Sequence, residues 1–185
     1  MKDNVTKGTK LQIKEPTHTR IASFNVNGFS LNSTAGKLPM LFESYKRHEL
    51  DILAIQEHRV DTTKYEVLQK CHDLAKELPS ASFTLTSSPV TSSVKYSKPG
   101  GTAILSSGAI ASRRIPMRER DWLGRWVTQT FTGKDGKYFK VYSAYQVTQK
   151  KVPIGRGTAA NQQEACLRNK GFQNPNPRLQ FYKDL

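Results

Sequence analysis

Residues 21–57 read as strand, helix, strand in close succession, and this order limits the fold more than any other feature of the chain. Ile21-Ala-Ser-Phe-Asn-Val-Asn-Gly28 begins with the alternation of a strand, Ile21 and Ser23 on one side and Ala22 and Phe24 on the other. Its two asparagines and glycine then favour a tight turn. From Lys37 the spacing becomes helical: Leu38, Leu41, Phe42 and Tyr45 fall at i, i+3, i+4 and i+7 and form one apolar stripe. Asp51-Ile-Leu-Ala-Ile-Gln-Glu57 follows, and its continuous apolar run from Ile52 to Ile55 suits a strand covered on both faces. Such a unit predicts two parallel strands joined by a right-handed crossover. Both strands finish in amide and carboxylate side chains, Asn25 and Asn27 on the first, Gln56 and Glu57 on the second. Neighbouring strands that end this way make a polar crevice at one edge of a sheet, where open α/β sheets hold ligands. Taken singly, each end is equally compatible with a strand that simply stops and exposes its last polar residues.

The remaining pattern is mixed. A second helix is expected over 63–76, with Val67, Leu68, Cys71, Leu74 and Ala75 on its apolar side and Pro79 beyond it. Residues 81–86 alternate as a strand. Residues 87–99 form a Ser/Thr/Pro/Lys loop, the best candidate for a mobile excursion. Gly100-Gly-Thr-Ala-Ile-Leu105 reads as a further strand. Trp126–Thr132 and Tyr138–Ala144 alternate clearly around Gly133-Lys-Asp-Gly136, which predicts an antiparallel hairpin and rules out a purely parallel sheet. Thr158 is placed to cap a helix over 158–170 that Gly171 ends. Arg178–Leu185 starts one more amphipathic helix, on which Leu179, Phe181, Tyr182 and Leu185 need cover. The chain stops within that helix, and the expectation is a truncated domain.

Composition narrows the partners. Of 185 residues, 29 are Lys or Arg and 15 are Asp or Glu, a net charge of +14 with a pI near 9.9. Such an excess favours polyanions, nucleic acid ahead of an anionic membrane surface. No apolar run approaches the roughly 20 residues of a membrane span, and the first residues lack the apolar segment of a signal peptide. Cys71 and Cys166 lie far apart and outline neither a zinc site nor a disulfide framework. An intracellular location follows as the expectation, and a nuclear one with DNA as the partner. No obligate protein partner is evident.

Read in order, Ser-Phe-Asn25-Val-Asn27-Gly, Ile-Leu-Ala-Ile-Gln56-Glu57, Gly-Gly-Thr-Ala-Ile-Leu, Gly124-Arg-Trp and Val-Tyr-Ser-Ala-Tyr145 resemble the endonuclease/exonuclease/phosphatase superfamily. The flavour is most similar to the apurinic-type endonucleases of retrotransposons without long terminal repeats. The resemblance implies an α/β (α+β) fold, a four-layer sandwich of helix, sheet, sheet and helix with its C-terminal part missing. It divides the chain into a flexible basic arm over 1–19 and a partial domain over 20–185. It also implies roles. Glu57 resembles the metal-ligating glutamate, for Mg²⁺ or Mn²⁺, and oxygen ligands suit such a cation. Asn25 resembles the asparagine of the catalytic cluster, and Asn27 stands where it could support the metal. Tyr145 resembles the tyrosine that contacts the phosphate or the attacking water. Arg125, between Gly124 and Trp126, either neutralises a phosphate or only starts a strand.

The family's later motifs have no counterpart here. No Asp-x-Asn stretch of the Gly-Asp-Phe-Asn kind occurs, and His18, His48, His58 and His72 all precede residue 73. Tyr145-Gln-Val-Thr148 also departs from the Tyr-x-Pro-Asn of many relatives. The resemblance therefore implies DNA phosphodiester hydrolysis that is weak or absent in this chain. An inactive nucleic-acid-binding remnant is one alternative. A phosphatase or phosphodiesterase acting on phosphoinositides or nucleotides is the other.

Overall fold

The computed structural model describes residues 11–29, 31, 36–89, 98–117, 119–148 and 158–185. Strand β1 (Ile21–Asn25) pairs in parallel with β2 (Ile52–Gln56), and α1 (Lys37–Arg47) crosses between them. Strands β3 (Ser82–Thr86) and β4 (Thr102–Ser106) run antiparallel to each other, and β4 also pairs antiparallel with β2, giving the order β1-β2-β4-β3. A second sheet is built from β5 (Arg114–Ile115), β6 (Trp126–Thr132) and β7 (Tyr138–Ala144), all antiparallel. The mixed sheet and the hairpin are those the sequence predicts, and the strands of the hairpin have the predicted bounds. In its turn Asp135 and Gly136 both have positive φ, 58° and 69°, and Lys137 N donates to Lys134 O. Two central residues of this hand match the right-handed twist of the flanking strands, which is why Asp-Gly works there.

Alternation assigns the faces. Leu53 and Ile55 of β2, Phe83 and Leu85 of β3, and Ala103 and Leu105 of β4 point to one side. There they bury Leu38, Phe42 and Tyr45 of α1 and Cys71 and Ala75 of α2 (Tyr65–Ala75). The other face carries Ile52 and Ile104 into a cluster with Val127, Phe131 and Val141 of the second sheet and with Ile110. Ile110 belongs to a one-turn helix, α3 (Gly108–Ala111), that the sequence pattern is too short to reveal. A polar side chain, Gln129, also lies between the sheets: it accepts from Ser106 Oγ at 2.8 Å and donates to Thr84 Oγ1 at 3.0 Å and Ile104 O at 3.1 Å. Its amide is satisfied on both ends, so its burial costs little.

Two helices follow the hairpin, α4 (Ala159–Asn169) and α5 (Pro177–Asp184). Cys166 and Leu167 of α4 cover Leu123 and Trp122. Thr158 Oγ1 accepts from Asn161 N at 3.2 Å, the cap the sequence predicts. Thr158→Ala should therefore lower stability by about 1 kcal/mol, read as a small drop in the urea midpoint with an unchanged denaturant slope. Helix α5 opens one residue before its predicted start, because Asn176 caps it and Pro177 occupies its first turn. Its Phe181 is buried, whereas Leu179, Tyr182 and Leu185 are exposed.

The described ends of two segments expected to be loose make contacts with the domain. The described part of the N-terminal arm is fastened to the domain: Lys14 Nζ lies 2.6 Å from Asp51 Oδ1, and Asp51 Oδ2 accepts from Arg20 N at 2.7 Å. In the loop over 87–99, Ser87 Oγ accepts from Thr62 N, and Lys98 is buried with its Nζ 2.9 Å from Asp61 Oδ1. Residues 1–10 and 90–97 lie outside the described residues. No described helix is long and apolar enough to cross a membrane.

Candidate active site

The crevice forms where β1 and β2 end together. Asn25 stands opposite Gln56 in the parallel register. The two chains then continue side by side: Val26 N donates to Gln56 O at 3.0 Å, Gly28 N to Glu57 O at 2.6 Å, and Phe29 N to His58 O at 3.2 Å. The turn of Asn25 and Asn27 is thereby laid against Glu57. Asn25 Oδ1 accepts from Asn27 N at 3.0 Å, which tightens that turn. Both asparagines are exposed at the mouth of the crevice. Lys37 reaches the same turn from the start of α1, with Nζ 3.1 Å from Val26 O and 3.3 Å from Asn27 O.

The second sheet supplies the opposite wall. Tyr145 follows the last residue of β7, and its N–H donates to Arg125 O at 2.7 Å. Its hydroxyl lies beside the Glu57 carboxylate. Burial, with the adjacent Glu57 charge, pushes the Tyr145 phenol well above its ordinary value, so it is a proton donor throughout the neutral range. The two walls are pinned one step further in. Ser143 Oγ donates to Ile55 O at 2.8 Å and accepts from Gln56 Nε2 at 3.1 Å. Ser23 Oγ donates to Gln56 Oε1 at 3.2 Å, so the Gln56 amide is held at both ends.

Three residues of the crevice have left-handed backbones without being glycine: Asn27 at φ 46°, Glu57 at φ 54° and Arg59 at φ 57°. Each such residue costs of order 1 kcal/mol, and these outliers gather where function uses them. Arg59 is the member that the sequence reading missed. Its guanidinium lies 3.8 Å from Glu57 Oε2 and is partly exposed. The only trace of it in the sequence is its place two residues after Glu57 at the end of a strand.

Arg125 is in a different setting from the one the resemblance implies. It is 1% exposed, and its guanidinium is taken up by carboxylates. Nε and Nη2 donate to Asp121 Oδ2 and Oδ1 at 2.7 and 2.6 Å, and Nη2 also donates to Asp184. Asp121 four residues upstream and Asp184 on α5 pair with it inside the protein. His58 is equally withdrawn. Its Nδ1 accepts from Val60 N at 2.9 Å, which leaves the proton on Nε2 to donate to Thr86 O at 2.9 Å. Complete burial pulls its pKa down to about 4.

The donors the crevice offers a cation are oxygens: the Glu57 carboxylate, side chain 18% exposed, and the amide oxygens of Asn25 and Asn27. One carboxylate with amide and water oxygens suits Mg²⁺, which keeps much of its hydration shell. Among the described residues no group of three or more His, Cys, Asp or Glu gathers at any point, so a site built from many charged ligands does not fit.

Two sheets lie face to face with helices against the first, a mixed α/β arrangement, and Asn25, Asn27, Glu57 and Tyr145 stand at one end of it. No protein-family model matches the chain, and no curated protein matches it. Among solved structures, it is similar to the AP endonuclease LMAP from Leishmania major, with a TM-score of 0.48 and 16% identity over 70% of this chain and 40% of that one. It is also similar to the human Nocturnin catalytic domain with bound sulfate anion, with a TM-score of 0.33 and 19% identity over 71% of this chain and 49% of that one. The chain thus spans less than half the length of either.

Proposed function

We propose that this chain carries part of a divalent-metal-dependent phosphodiesterase site whose substrate is DNA. The observation that carries the reading is the meeting of Asn25, Asn27, Glu57 and Tyr145, distant in sequence, in one crevice at the ends of β1, β2 and β7. The cluster of left-handed residues there supports it, and the net charge of +14 supports a polyanionic substrate.

Glu57 would hold Mg²⁺ or Mn²⁺, with the amide oxygens of Asn25 and Asn27 completing the protein's share. A cation so held neutralises phosphate charge and makes a bound water more acidic. The Tyr145 hydroxyl, beside Glu57, donates to a non-bridging phosphate oxygen when substrate enters. Arg59 and Lys37 place positive charge on the same mouth and orient the phosphate. Among the described residues no histidine stands ready to take the proton of the attacking water. His58 is buried with both ring nitrogens engaged, and the other three histidines lie on the arm, at the end of α1 and on α2. General-base assistance is commonly worth about 10²–10⁴-fold, so turnover is expected to be slow.

Nicking of supercoiled plasmid with Mg²⁺, beside Glu57→Gln, tests the reading. Gln keeps an acceptor for Tyr145 while removing the charge that holds the metal. Slow nicking that needs Mg²⁺ and disappears in Glu57→Gln is the expected result. Plasmid left intact, with DNA retained in a gel shift that fades as salt rises, would instead assign a nucleic-acid-binding protein that does not cut. Vesicle binding with release of a phosphoinositide head group would move the substrate to the lipid class.

A further inference from the structure

The outer face of the second sheet has a composition that the crevice does not explain. Along β7, Phe139, Val141 and Ser143 point inward: Phe139 stacks on Phe131, Val141 joins the core between the sheets and Ser143 bonds Ile55. Tyr138, Lys140 and Tyr142 therefore share the outer face, at i, i+2 and i+4. Tyr138 is 71% exposed and Tyr142 44%. The Lys140 ammonium lies 6.0 Å from the centroid of Tyr142, and Trp126 of β6 sits beside that ring at 6.1 Å. The charge of Lys140 is balanced by Glu119, whose carboxylate takes its ammonium at 2.8 and 2.9 Å. The surplus positive charge stands at the rim, on the exposed Arg113, Lys134 and Lys137 against Asp135.

We infer that this face binds single-stranded nucleic acid by stacking its bases on Tyr138 and Tyr142. Alternate residues of a strand stand about 7 Å apart, so the two rings are about 14 Å apart, the reach of a few unstacked nucleotides. Every base has a π-face, so aromatic side chains on an open sheet take up a strand without reading its sequence. The rim cations follow the phosphates, and the balanced Lys140 holds Tyr142 upright instead of adding charge. Duplex DNA, with its bases already stacked, gains nothing from these rings. The inference is separate from the crevice and does not rest on hydrolysis.

The test is fluorescence anisotropy of a labelled oligothymidylate of about 12 nucleotides with the full chain, beside a duplex of the same length. Tyr138→Ala with Tyr142→Ala is expected to weaken single-strand binding about 30-fold or more and to leave duplex binding and the thermal midpoint in place. Tyr138→Phe with Tyr142→Phe keeps the stacking surface and should restore the affinity. Single-strand affinity that is absent, or that survives the alanine pair, overturns the inference. Self-association that the alanine pair abolishes, with no oligonucleotide bound, overturns it too and assigns the face to a second copy.

Discussion

Arg125→Ala should remove about 3–5 kcal/mol of folding stability, the usual cost of breaking a buried ion pair from one side. Asp121 keeps its contacts with the N–H groups of Leu123 and residue 125 but loses the two side-chain donors that neutralise it. Asp184 loses its cation as well, and with it the tie between α5 and the start of β6. The guanidinium also lies 5.9 Å from the centroid of the Phe181 ring, so packing of α5 is lost along with charge. Domains of this size are commonly stable by only about 5–15 kcal/mol, so the loss takes a large share of that stability. Urea unfolding followed by circular dichroism reads the loss. The result separates two roles cleanly. A phosphate-binding arginine would leave the urea midpoint in place with weaker DNA affinity, whereas the ion-pair centre seen here moves the midpoint itself.

The second large effect is with pH. His58 is buried as the neutral imidazole, its pKa pulled from 6.5 to about 4 by desolvation. The unfolded chain takes up that proton near pH 6.5, and the folded chain resists it down to about pH 4. Between those values the unfolded state binds more protons, so stability falls as pH falls. The full contribution is present above pH 6.5, and about 3 kcal/mol of it is gone by pH 4. The space around the ring leaves no escape. A Cβ on Gly101, whose φ is +87°, would lie 2.4 Å from the imidazole Cε1, so the loop before β4 closes directly over it. Urea midpoints measured from pH 7.5 down to pH 4 should show the decline. A flat profile across pH 6.5 to 4 would mean that the folded protein accepts the proton on His58.

Much of the scaffold was legible because short-range rules agree with the tertiary result. The stripe of Leu38, Phe42 and Tyr45 seats α1 where a 3.6-residue period puts it, and the alternation of Trp126–Thr132 and Tyr138–Ala144 seats the hairpin. The unforeseen α3 and β5 are four and two residues long, too short to show a period. The meeting of Asn25 with Glu57 was readable from the polar ends of two adjacent strands. The meeting of Tyr145 with Glu57 was not, because it depends on how one sheet lies across the other, and only the resemblance pointed to it. Arg59 and Arg125 show the same limit from two sides. A guanidinium in a sequence looks alike whether it faces solvent or two carboxylates, and the partner that decides the matter for Arg125, Asp184, is 59 residues away.

The Ser143 bridge has a consequence for how such a crevice can vary. Ser143 lies two residues before Tyr145, and the carbonyl that its hydroxyl meets lies two residues before Glu57. The aperture between Tyr145 and Glu57 is therefore calibrated by the spacing of the two sheets, much as the jaws of a caliper follow its beam. Mutations at the jaws change the chemistry offered to a ligand but leave the opening as it is. Altering its width needs a change further back, at Ser143, Gln56 or the Ile52–Phe131 contact layer.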